Sequence, residues 1–298
     1  MIYGAIEAGG TKFVCAVMNA PTRVVAEQVI ATTTPEETLA NVVRFFEEAE
    51  GTHGPLRGFG IASFGPVQVL RTSPPRWGRL LATPKPGWSH ASLIEPLQSR
   101  WPRCAIELDT DVNAAALAES VLGAGRNAGN IAYVTVGTGI GGGAVVNGGP
   151  LHGWMHPEMG HIRVRRDPRD LDFPGTCPFH GDCVEGLACG LAIQRRWGAD
   201  LSRLGDEHPA PSIIGNYLGQ LAATIALVLS PERIVFGGGV IMSNTALLQH
   251  IRLATREALA DYVLPLDSGL AIEDAVCISA LGGRAGLYGA ALLAQRHG

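Results

Sequence analysis

Runs of apolar residues divide the first part of the chain into three strands and a helix. Residues 2–7 and 13–18 predict strands on either side of the turn A-G-G-T-K, and residues 24–30 predict a third strand that completes a meander. The letters T-P-E-E at 34–37 combine an N-cap threonine, a proline in the first turn and the spacing of a capping box. They predict a helix to about residue 48, whose apolar face is formed by Leu39, Val42, Val43 and Phe46.

The same patterns continue through the rest of the chain. Further strands are predicted at residues 57–62, 104–108, 131–136, 144–147, 233–236 and 275–279. Helices are predicted from Asp111 to about Leu122, near 185–198, at 213–229, at about 244–262 and from about Arg284. Residues 71–90, rich in Pro, Arg, Trp and Gly, predict an ordered loop. A glycine loop between two strands occurs once in each half, which indicates a duplicated α/β architecture with a cleft between two domains.

Composition narrows the class of protein. The chain of 298 residues is long enough for two domains, and 46% hydrophobic against 17% charged residues indicates a globular protein with a substantial core. A net charge of −4 offers no basic surface for nucleic acid. The chain opens directly in a predicted strand rather than a secretory signal, and its most apolar run, residues 218–229, is too short to cross a bilayer. We therefore expect a soluble, cytoplasmic protein that binds neither nucleic acid nor membrane.

Two cysteines and two histidines predict a metal site. Cys177, His180 and Cys183 have the spacing C-x2-H-x2-C, and His161 precedes them on a segment that we expect to be an adjacent strand. Zn²⁺ takes four nitrogen or sulfur ligands in a tetrahedron, and these four side chains supply that set. The prediction is a structural zinc site.

Other interpretations of this segment stay open. Glu158 and Glu185 flank it, so a metal there would hold two carboxylates in place as part of a polar pocket. Without a metal, the cysteines would be ordinary buried thiols. A disulfide between them is less expected, because nothing in the chain indicates an oxidising compartment. Rival metal ligands stand nearby in the chain: His152, His156 and Cys189.

Glycines cluster at 9–10, 137–143 and 237–239. The second cluster matches the G-x-G-x-x-G expression of dinucleotide-binding proteins, but a strand follows it where that fingerprint requires a helix. Successive backbone N–H groups can nevertheless bind phosphate, and the first cluster adds the hydroxyl of Thr11 and the ammonium of Lys12. For each loop taken alone, the alternative is a tight hairpin turn that needs positive φ.

Asp111 stands between a predicted strand and a predicted helix, and Asp109 and Asn113 flank it. Side chains at such junctions face the ligand in open α/β sheets. Asp111 has two interpretations. It caps the helix, since aspartate is a preferred N-cap residue, or its carboxylate deprotonates a hydroxyl nucleophile, as phosphoryl transfer requires.

In this order, the pieces resemble the ROK family of sugar kinases and repressors, and most closely its bacterial fructokinase branch. The matching motifs cover nearly the whole chain: I-E-A-G-G-T-K-F, A-S-F-G-P, A-T-P-K-P-G-W, D-V-N-A-A-A-L-A-E, V-G-T-G-I-G-G-G, H-P-E-M-G-H, C-P-F-H-G-D-C-V-E-G and I-V-F-G-G-G-V. Glu7 and His180 depart from the commoner family patterns D-x-G-G-T-K and C-x-C-G-x-x-G-C and resemble that branch. The resemblance implies the α/β actin-like ATPase (ribonuclease H-like) fold, with two domains around a cleft.

The resemblance also implies residue roles. Asp111 would be the general base for a sugar hydroxyl. The implied phosphate and adenosine contacts are Gly9, Gly10, Thr11, Lys12, Thr138, Gly139, Gly237, Gly238 and Gly239. The implied sugar ligands are Asn113, Glu158, His161 and Glu185, and the implied zinc ligands are His161, Cys177, His180 and Cys183. His161 would serve both, with one ring nitrogen on the metal and the other on the sugar.

The implied activity is phosphorylation of fructose by ATP, with Mg²⁺ on the nucleotide phosphates and a four-ligand zinc that has no open position. The implied domains are residues 1–115 with about 280–298, and residues 116–279, in a homodimer. Another hexose (mannose or glucose) and a silent sugar sensor remain alternatives. A repressor is not favoured, because the first glycine loop begins within the first ten residues of an acidic chain.

Overall fold

The computed structural model describes residues 1–72, 76–83, 85–205, 207–260, 262 and 271–296. Parts of four predictions lie outside the described residues. They are positions 73–75 and 84 of the predicted loop (Pro84 belongs to the A-T-P-K-P-G-W motif), position 261 of a predicted helix, positions 206, 261 and 263–270 of the predicted second domain, and positions 297–298 of the predicted first domain.

The elements follow the predicted order. The strands are β1 (Ile2–Ala8), β2 (Lys12–Ala20), β3 (Arg23–Ala31), β4 (Leu56–Ser63), β5 (Ala105–Thr110), β6 (Ile131–Val136), β7 (Ile140–Val146), β8 (Gly149–Pro150), β9 (Arg233–Gly237) and β10 (Val276–Ile278). The α-helices are α1 (Pro35–His53), α2 (Glu95–Arg100), α3 (Asp111–Leu122), α4 (Val184–Ala188), α5 (Gly190–Trp197), α6 (Ala210–Leu229), α7 (Gly239–Ser243), α8 (Leu247–Leu259), α9 (Ile272–Ala275) and α10 (Ala285–Ala294). Short 3-10 helices span Met159–His161, Pro168–Asp170, Leu201–Arg203 and Gly282–Arg284.

The chain divides into two compact units. Unit 1 comprises Met1–Ala118, Pro150–His156 and Arg284–Gly298, and unit 2 comprises Glu119–Gly149 and Pro157–Gly283. The segment Pro150–His156, which we assigned to the second domain from the sequence, lies in unit 1.

Unit 1 is built on a five-stranded sheet in the order β3-β2-β1-β4-β5. β1, β2 and β3 form the predicted antiparallel meander, and β4 and β5 continue the sheet in parallel with β1. α1 packs its apolar face on this sheet, where the rings of Phe46 and Phe59 meet edge to face with centroids 5.1 Å apart. Aromatic pairs in this arrangement contribute beyond the area they bury.

The start of α1 confirms the predicted cap in part. The Glu37 N–H donates to the Thr34 hydroxyl oxygen at 3.3 Å. The Glu37 carboxylate accepts from the Thr33 hydroxyl at 2.7 Å, so its side chain bonds one residue earlier than a capping box requires. The helix continues five residues beyond the predicted end, to His53, and stops at Gly54, whose φ of 91° suits glycine.

The C-terminal helix α10 packs against β1, β4 and β5 of unit 1 at very close range. A Cβ atom placed on Gly60 of β4 would lie 1.9 Å from the carbonyl oxygen of Ala290 and 2.7 Å from the backbone nitrogen of Ala294. The missing side chain is therefore what allows the helix backbone to lie on the strand.

Gly60→Ala is accordingly expected to destabilise the protein by about 1 to 3 kcal/mol, since the added methyl meets backbone that cannot turn away. The control is Gly51→Ala, on the exposed side of α1 with nothing within 4 Å of the new Cβ. It is expected to stabilise by about 0.5 to 1 kcal/mol, because alanine is the better helix former. Urea unfolding of both variants is the measurement, and equal effects would contradict the packing argument.

Unit 2 repeats the topology of unit 1. Its sheet has the order β10-β9-β6-β7-β8, with β6 and β7 antiparallel and β6, β9 and β10 parallel. Three strands joined in sequence, followed by two parallel strands on the other side of the first, describe both sheets. The predicted duplicated α/β architecture is therefore confirmed.

The predicted glycine loop 137–143 is wrong in extent, because the turn covers only 137–139 and the remaining glycines lie inside β7. A Cβ on Gly142 would lie 2.6 Å from the side chain of Met159, and one on Gly160 would lie 1.9 Å from the carbonyl oxygen of Ile140. These glycines allow the 3-10 helix Met159–His161 to pack directly on the strand.

The described residues include one helix, α6, that is long and apolar enough to cross a membrane. In unit 2 it is a core helix, with 56% of its most apolar window buried. A Cβ on Gly215 would lie 2.3 Å from His250, and one on Gly219 would lie 2.5 Å from Ala254, so α6 and α8 are in backbone contact. Burial against α8 accounts for its apolar composition.

Candidate functional site

Asp111 is the first residue of α3, directly after β5. The hydroxyl of Thr110 accepts the N–H of Asn113 at 3.1 Å, which is the bond an N-cap side chain makes. Asp111 Oδ1 accepts the N–H of the next residue, Val112, at 2.9 Å. Thr110 therefore provides the helix cap, and the capping interpretation of Asp111 is not needed to explain the start of α3.

Two carboxyl groups of unit 1 have pKa values close to neutrality. Burial raises the pKa of Asp111 to about 6, against the opposing effect of its backbone hydrogen bonds. Burial also raises the pKa of Glu7 to about 7, and the negative charge of Asp111 raises it further, while Lys12 and Arg284 act in the opposite direction. Sequence reasoning marked Glu7 only as a family departure. Its place on β1 just before the first glycine turn was the signal available.

The first glycine turn joins β1 to β2 and is braced from outside. The Gly9 N–H donates to the Lys12 carbonyl at 3.0 Å, and Thr32 reaches the turn twice. Its hydroxyl donates to the Gly9 carbonyl at 2.8 Å, and its N–H donates to the Thr11 carbonyl at 3.0 Å. The side chains of Thr11 and Lys12 remain exposed. The turn thus presents a hydroxyl and an ammonium from a fixed backbone.

Trp88 and Lys85 of the K-P-G-W motif support this brace. The Trp88 indole N–H donates to the Thr33 carbonyl at 2.8 Å, and the Lys85 ammonium donates to the Thr32 carbonyl at 3.3 Å. Trp88 is fully buried and lies against Phe13, with ring centroids 5.5 Å apart. No role for this motif was predicted from the sequence.

Asn113 is fully buried, and its amide nitrogen is held by protein acceptors in unit 1. It donates to Asp109 Oδ1 at 2.9 Å and to the Leu151 carbonyl at 3.3 Å. Asp109 also lies 2.9 Å from Nε2 of His152. The orientation of the Asn113 amide is therefore set before any ligand binds.

The second glycine turn lies in unit 2 between β6 and β7. The Gly137 carbonyl accepts the N–H of Gly190 at 2.7 Å, and Glu185 Oε2 accepts the N–H of Ile140 at 3.0 Å. Thr138 of this turn and Gly239 of the third glycine cluster line the same cavity of about 580 Å³. A cavity of this volume is large enough for a nucleoside.

The third glycine cluster begins at the last residue of β9 and lies against β6. Gly238 has a φ of 87°, and a Cβ there would lie 2.5 Å from backbone atoms of Val136. A Cβ on Gly237 would lie 2.3 Å from the Tyr133 hydroxyl. These two positions require glycine for the close approach of the strands.

Four side chains of unit 2 converge as the sequence predicted: His161, Cys177, His180 and Cys183, whose candidate ligand atoms all lie within 4.8 Å of one another. Nδ1 of His161 lies 3.6 Å from each of the two sulfurs, and Nδ1 of His180 lies 3.6 Å from that of Cys177. With Zn–S bonds of about 2.3 Å and Zn–N bonds of about 2.0–2.1 Å, a tetrahedron has nitrogen–sulfur edges of about 3.5–3.6 Å. The spacing of the cluster suits zinc.

One detail of this prediction is corrected. His161 ends the 3-10 helix Met159–His161 and is not part of a strand, because Gly160 lets that helix turn sit on β7. Cys177 and Cys183 are free cysteines in the structure.

The rival ligands make other contacts. His156 accepts the N–H of Val67 in unit 1 at 3.3 Å. Cys189 caps α5 by accepting the N–H of Ala192 at 3.4 Å, and this cap divides the predicted helix 185–198 into α4 and α5. His152, beside Asp109, also belongs to unit 1.

His161 presents its two ring nitrogens to different partners. Nδ1 faces the cysteine sulfurs, and Nε2 lies 4.0 Å from Glu158 Oε2. A histidine in this position is able to bind a metal through one nitrogen and to place the other beside a carboxylate.

Unit 1 carries a glycine turn and a half-buried carboxylate, and unit 2 carries a glycine turn beside a nucleoside-sized cavity. On duplicated α/β sheets, these features are those of a phosphotransferase of the actin-like ATPase fold. Residues 3–297 match the ROK family, and the chain belongs to that family.

Relatives support this assignment along the whole chain. A fructokinase of Zymomonas mobilis is 45% identical over 296 residues, covering 98% of this chain and 96% of the relative. A putative fructokinase of Bacillus subtilis is 39% identical over 293 residues, covering 98% and 95%.

Solved structures show the same fold. A ROK hexokinase of Thermus thermophilus has a TM-score of 0.78 at 27% identity, covering 98% of this chain and 97% of its own. A ROK family glucokinase of Streptomyces griseus, in complex with glucose and AMPPNP, has a TM-score of 0.74 at 25% identity with 100% of both chains covered.

Proposed function

We propose that this protein is an ATP-dependent fructokinase that transfers the γ-phosphoryl group of ATP to the 6-hydroxyl of D-fructose. The observation that carries the chemistry is Asp111. It is a half-buried carboxyl at a strand–helix junction, with a pKa raised to about 6 and one oxygen already held by a backbone N–H. At pH 7 most of it is ionised, and its basicity is matched to proton abstraction near neutrality. Fructose as the acceptor is supported by the names of the relatives.

In the proposed reaction, Asp111 takes the proton of the 6-hydroxyl as that oxygen forms a bond to the γ-phosphorus. The bond from this phosphorus to the β,γ-bridging oxygen breaks, and ADP leaves with that oxygen. The backbone N–H groups of the two glycine turns, with Thr11, Lys12 and Thr138, would hold the phosphates. Mg²⁺ on the nucleotide would supply charge neutralisation during transfer.

The adenosine would occupy the cavity beside Thr138, bordered by the Gly237–Gly239 cluster. The proposed sugar ligands are Asn113, Glu158, His161 and Glu185. Carboxylates and an imidazole suit this task because they accept and donate hydrogen bonds to several hydroxyls at once.

We further propose that the His161, Cys177, His180 and Cys183 cluster holds a structural zinc ion. The support is the donor set and its 3.6 Å spacings. Four protein ligands would leave no open coordination position, so the ion would stabilise this part of unit 2 without entering the reaction. The proposed protein is also cytoplasmic and forms a homodimer.

The test is ADP release in the presence of Mg²⁺ with fructose, mannose, glucose or no sugar, on protein with measured zinc content. Fructose is expected to give the highest kcat/KM, and Asp111→Asn is the inactive control. A higher kcat/KM with mannose or glucose would support the kinase activity and contradict fructose as the preferred substrate. Absence of sugar-dependent ADP release with every sugar would favour a sugar-binding sensor.

A further inference from the structure

The second glycine turn is fastened at both ends by one neighbouring segment. The α4–α5 segment, residues Val184–Trp197, follows the last cysteine of the metal cluster. Its Gly190 N–H donates to the Gly137 carbonyl at one end of the turn. Its Glu185 carboxylate accepts the Ile140 N–H at the other end. The conformation of the turn therefore depends on how this segment is held.

Glu185 lies directly against the turn. A Cβ on Gly139 would be 2.6 Å from Glu185 Oε2. The carboxylate thus occupies the space that a side chain at the tip of the turn would fill. The hydrogen bonds of the described residues use only Oε2 of this carboxylate. Oε1 is on the same rigid group, so whatever binds it also restricts Oε2.

We propose that Glu185 is a positioning residue that couples the two substrates, binding a sugar hydroxyl through Oε1 while fixing the nucleotide phosphate turn through Oε2. This rests on the proposed function, in which Glu185 is a sugar ligand. A hydrogen bond from the sugar selects one rotamer of the carboxylate, and that rotamer holds the Ile140 N–H and the tip of the turn. The turn is then ordered before the nucleotide arrives, so nucleotide binding loses less conformational freedom.

The coupling is reciprocal by thermodynamic necessity. Fructose is expected to tighten the binding of a non-hydrolysable ATP analogue by about 5- to 50-fold. The analogue is expected to tighten the binding of fructose by the same factor. The same coupling keeps the turn less ordered without sugar, so ATP hydrolysis in the absence of fructose is expected to be slow.

The experiment is calorimetric titration of the full-length, zinc-loaded protein with AMPPNP and Mg²⁺, with and without saturating fructose. Two variants test the residue. Glu185→Gln keeps the volume but removes the charge, and Glu185→Ala removes both contacts. Both are expected to bring the coupling factor to within about twofold of unity. The alanine variant is also expected to bind AMPPNP more weakly when no sugar is present. The control is Glu232→Gln, which alters a carboxylate that accepts the N–H groups of Gly129 and Asn130 in the same unit. It is expected to retain the coupling factor.

The outcomes are distinguishable. A wild-type protein that binds both fructose and AMPPNP without mutual effect would overturn the coupling and leave the proposed function standing. Coupling that survives in both Glu185 variants would overturn the role of this residue. Failure of fructose to bind wild-type protein would overturn the proposed substrate, and the coupling with it.

Discussion

Asp111→Asn is expected to lower kcat by about 10³-fold, within the range of 10² to 10⁴ contributed by a positioned general base. The amide is nearly isosteric, and its oxygen is still able to accept the Val112 N–H, so substrate binding is expected to change little. Steady-state kinetics with fructose and ATP measure this, and Asp172→Asn, at an exposed position, is the matched control. A fall of less than tenfold would contradict the general-base role.

The pH dependence of the wild-type enzyme follows from the same group. The proposed base, Asp111, acts in its ionised form, and its pKa is raised to about 6. The rate is therefore expected to rise with pH through about 6 and to level off above it. The Glu7 carboxyl, whose pKa is raised to about 7, titrates beside it and broadens the transition.

Asp111→Asn is also expected to stabilise the protein at neutral and alkaline pH. The folded-state pKa of about 6 lies above the ordinary value of 3.8, so the folded protein favours the protonated form. The stability that this provides is present below pH 4 and is lost as the pH rises through 6. The shift corresponds to a cost of about 3 kcal/mol for ionising this half-buried carboxyl in the folded protein. Urea unfolding at pH 5 and pH 8 is expected to show a larger advantage of the variant at pH 8, and an equal advantage at both would contradict this account.

Loss of the proposed zinc ion is expected to have the second large effect. Structural zinc contributes about 10–16 kcal/mol of apparent binding free energy in small domains, so chelation or Cys183→Ser is expected to remove much of what holds the His161, Cys177, His180 and Cys183 cluster together. Hydrogen exchange is expected to accelerate first in residues 161–189, before the two sheets. Because the α4–α5 segment holds the second glycine turn, AMPPNP affinity is expected to fall together with fructose affinity.

The control for this prediction is Cys104→Ser in unit 1, a half-buried thiol that donates to the Leu56 carbonyl. It is expected to retain one zinc per chain and wild-type exchange rates. Metal content near zero in the purified wild-type protein would refute the zinc site, and uniform exchange after chelation would refute its local role.

Patterns in neighbouring residues were enough to predict the cluster of cysteines and histidines and the fold. Cys177, His180 and Cys183 lie within a single loop, so their convergence follows from the chain itself. The period of the apolar residues likewise located nearly every long helix and strand. Short elements such as α2 and α9 were missed, because a helix of one or two turns leaves little periodicity to detect.

Contacts between residues distant in sequence could not be predicted from one chain. The Trp88 indole donates to the Thr33 carbonyl, 55 positions earlier in the chain, and the Glu185 carboxylate accepts the N–H of Ile140, 45 positions earlier. Neither pair carries a local pattern. The glycines of β7 were taken for a loop because nothing in the sequence announces that Met159 packs on Gly142. Packing between segments that are distant in sequence determined these structures, and local secondary-structure propensity did not.

The position of α10 sets an order on the synthesis of this protein. The sheet of unit 1 is complete once Thr110 has been made, yet the helix that covers Gly60 begins only at Ala285. At about 5 to 20 residues per second, the ribosome needs on the order of 10 to 40 s to pass from one to the other. Throughout that time the face of β4 is open to chaperones and to neighbouring nascent chains. Unit 2, whose sheet ends with β10, is able to finish on the ribosome before unit 1, although unit 1 begins first.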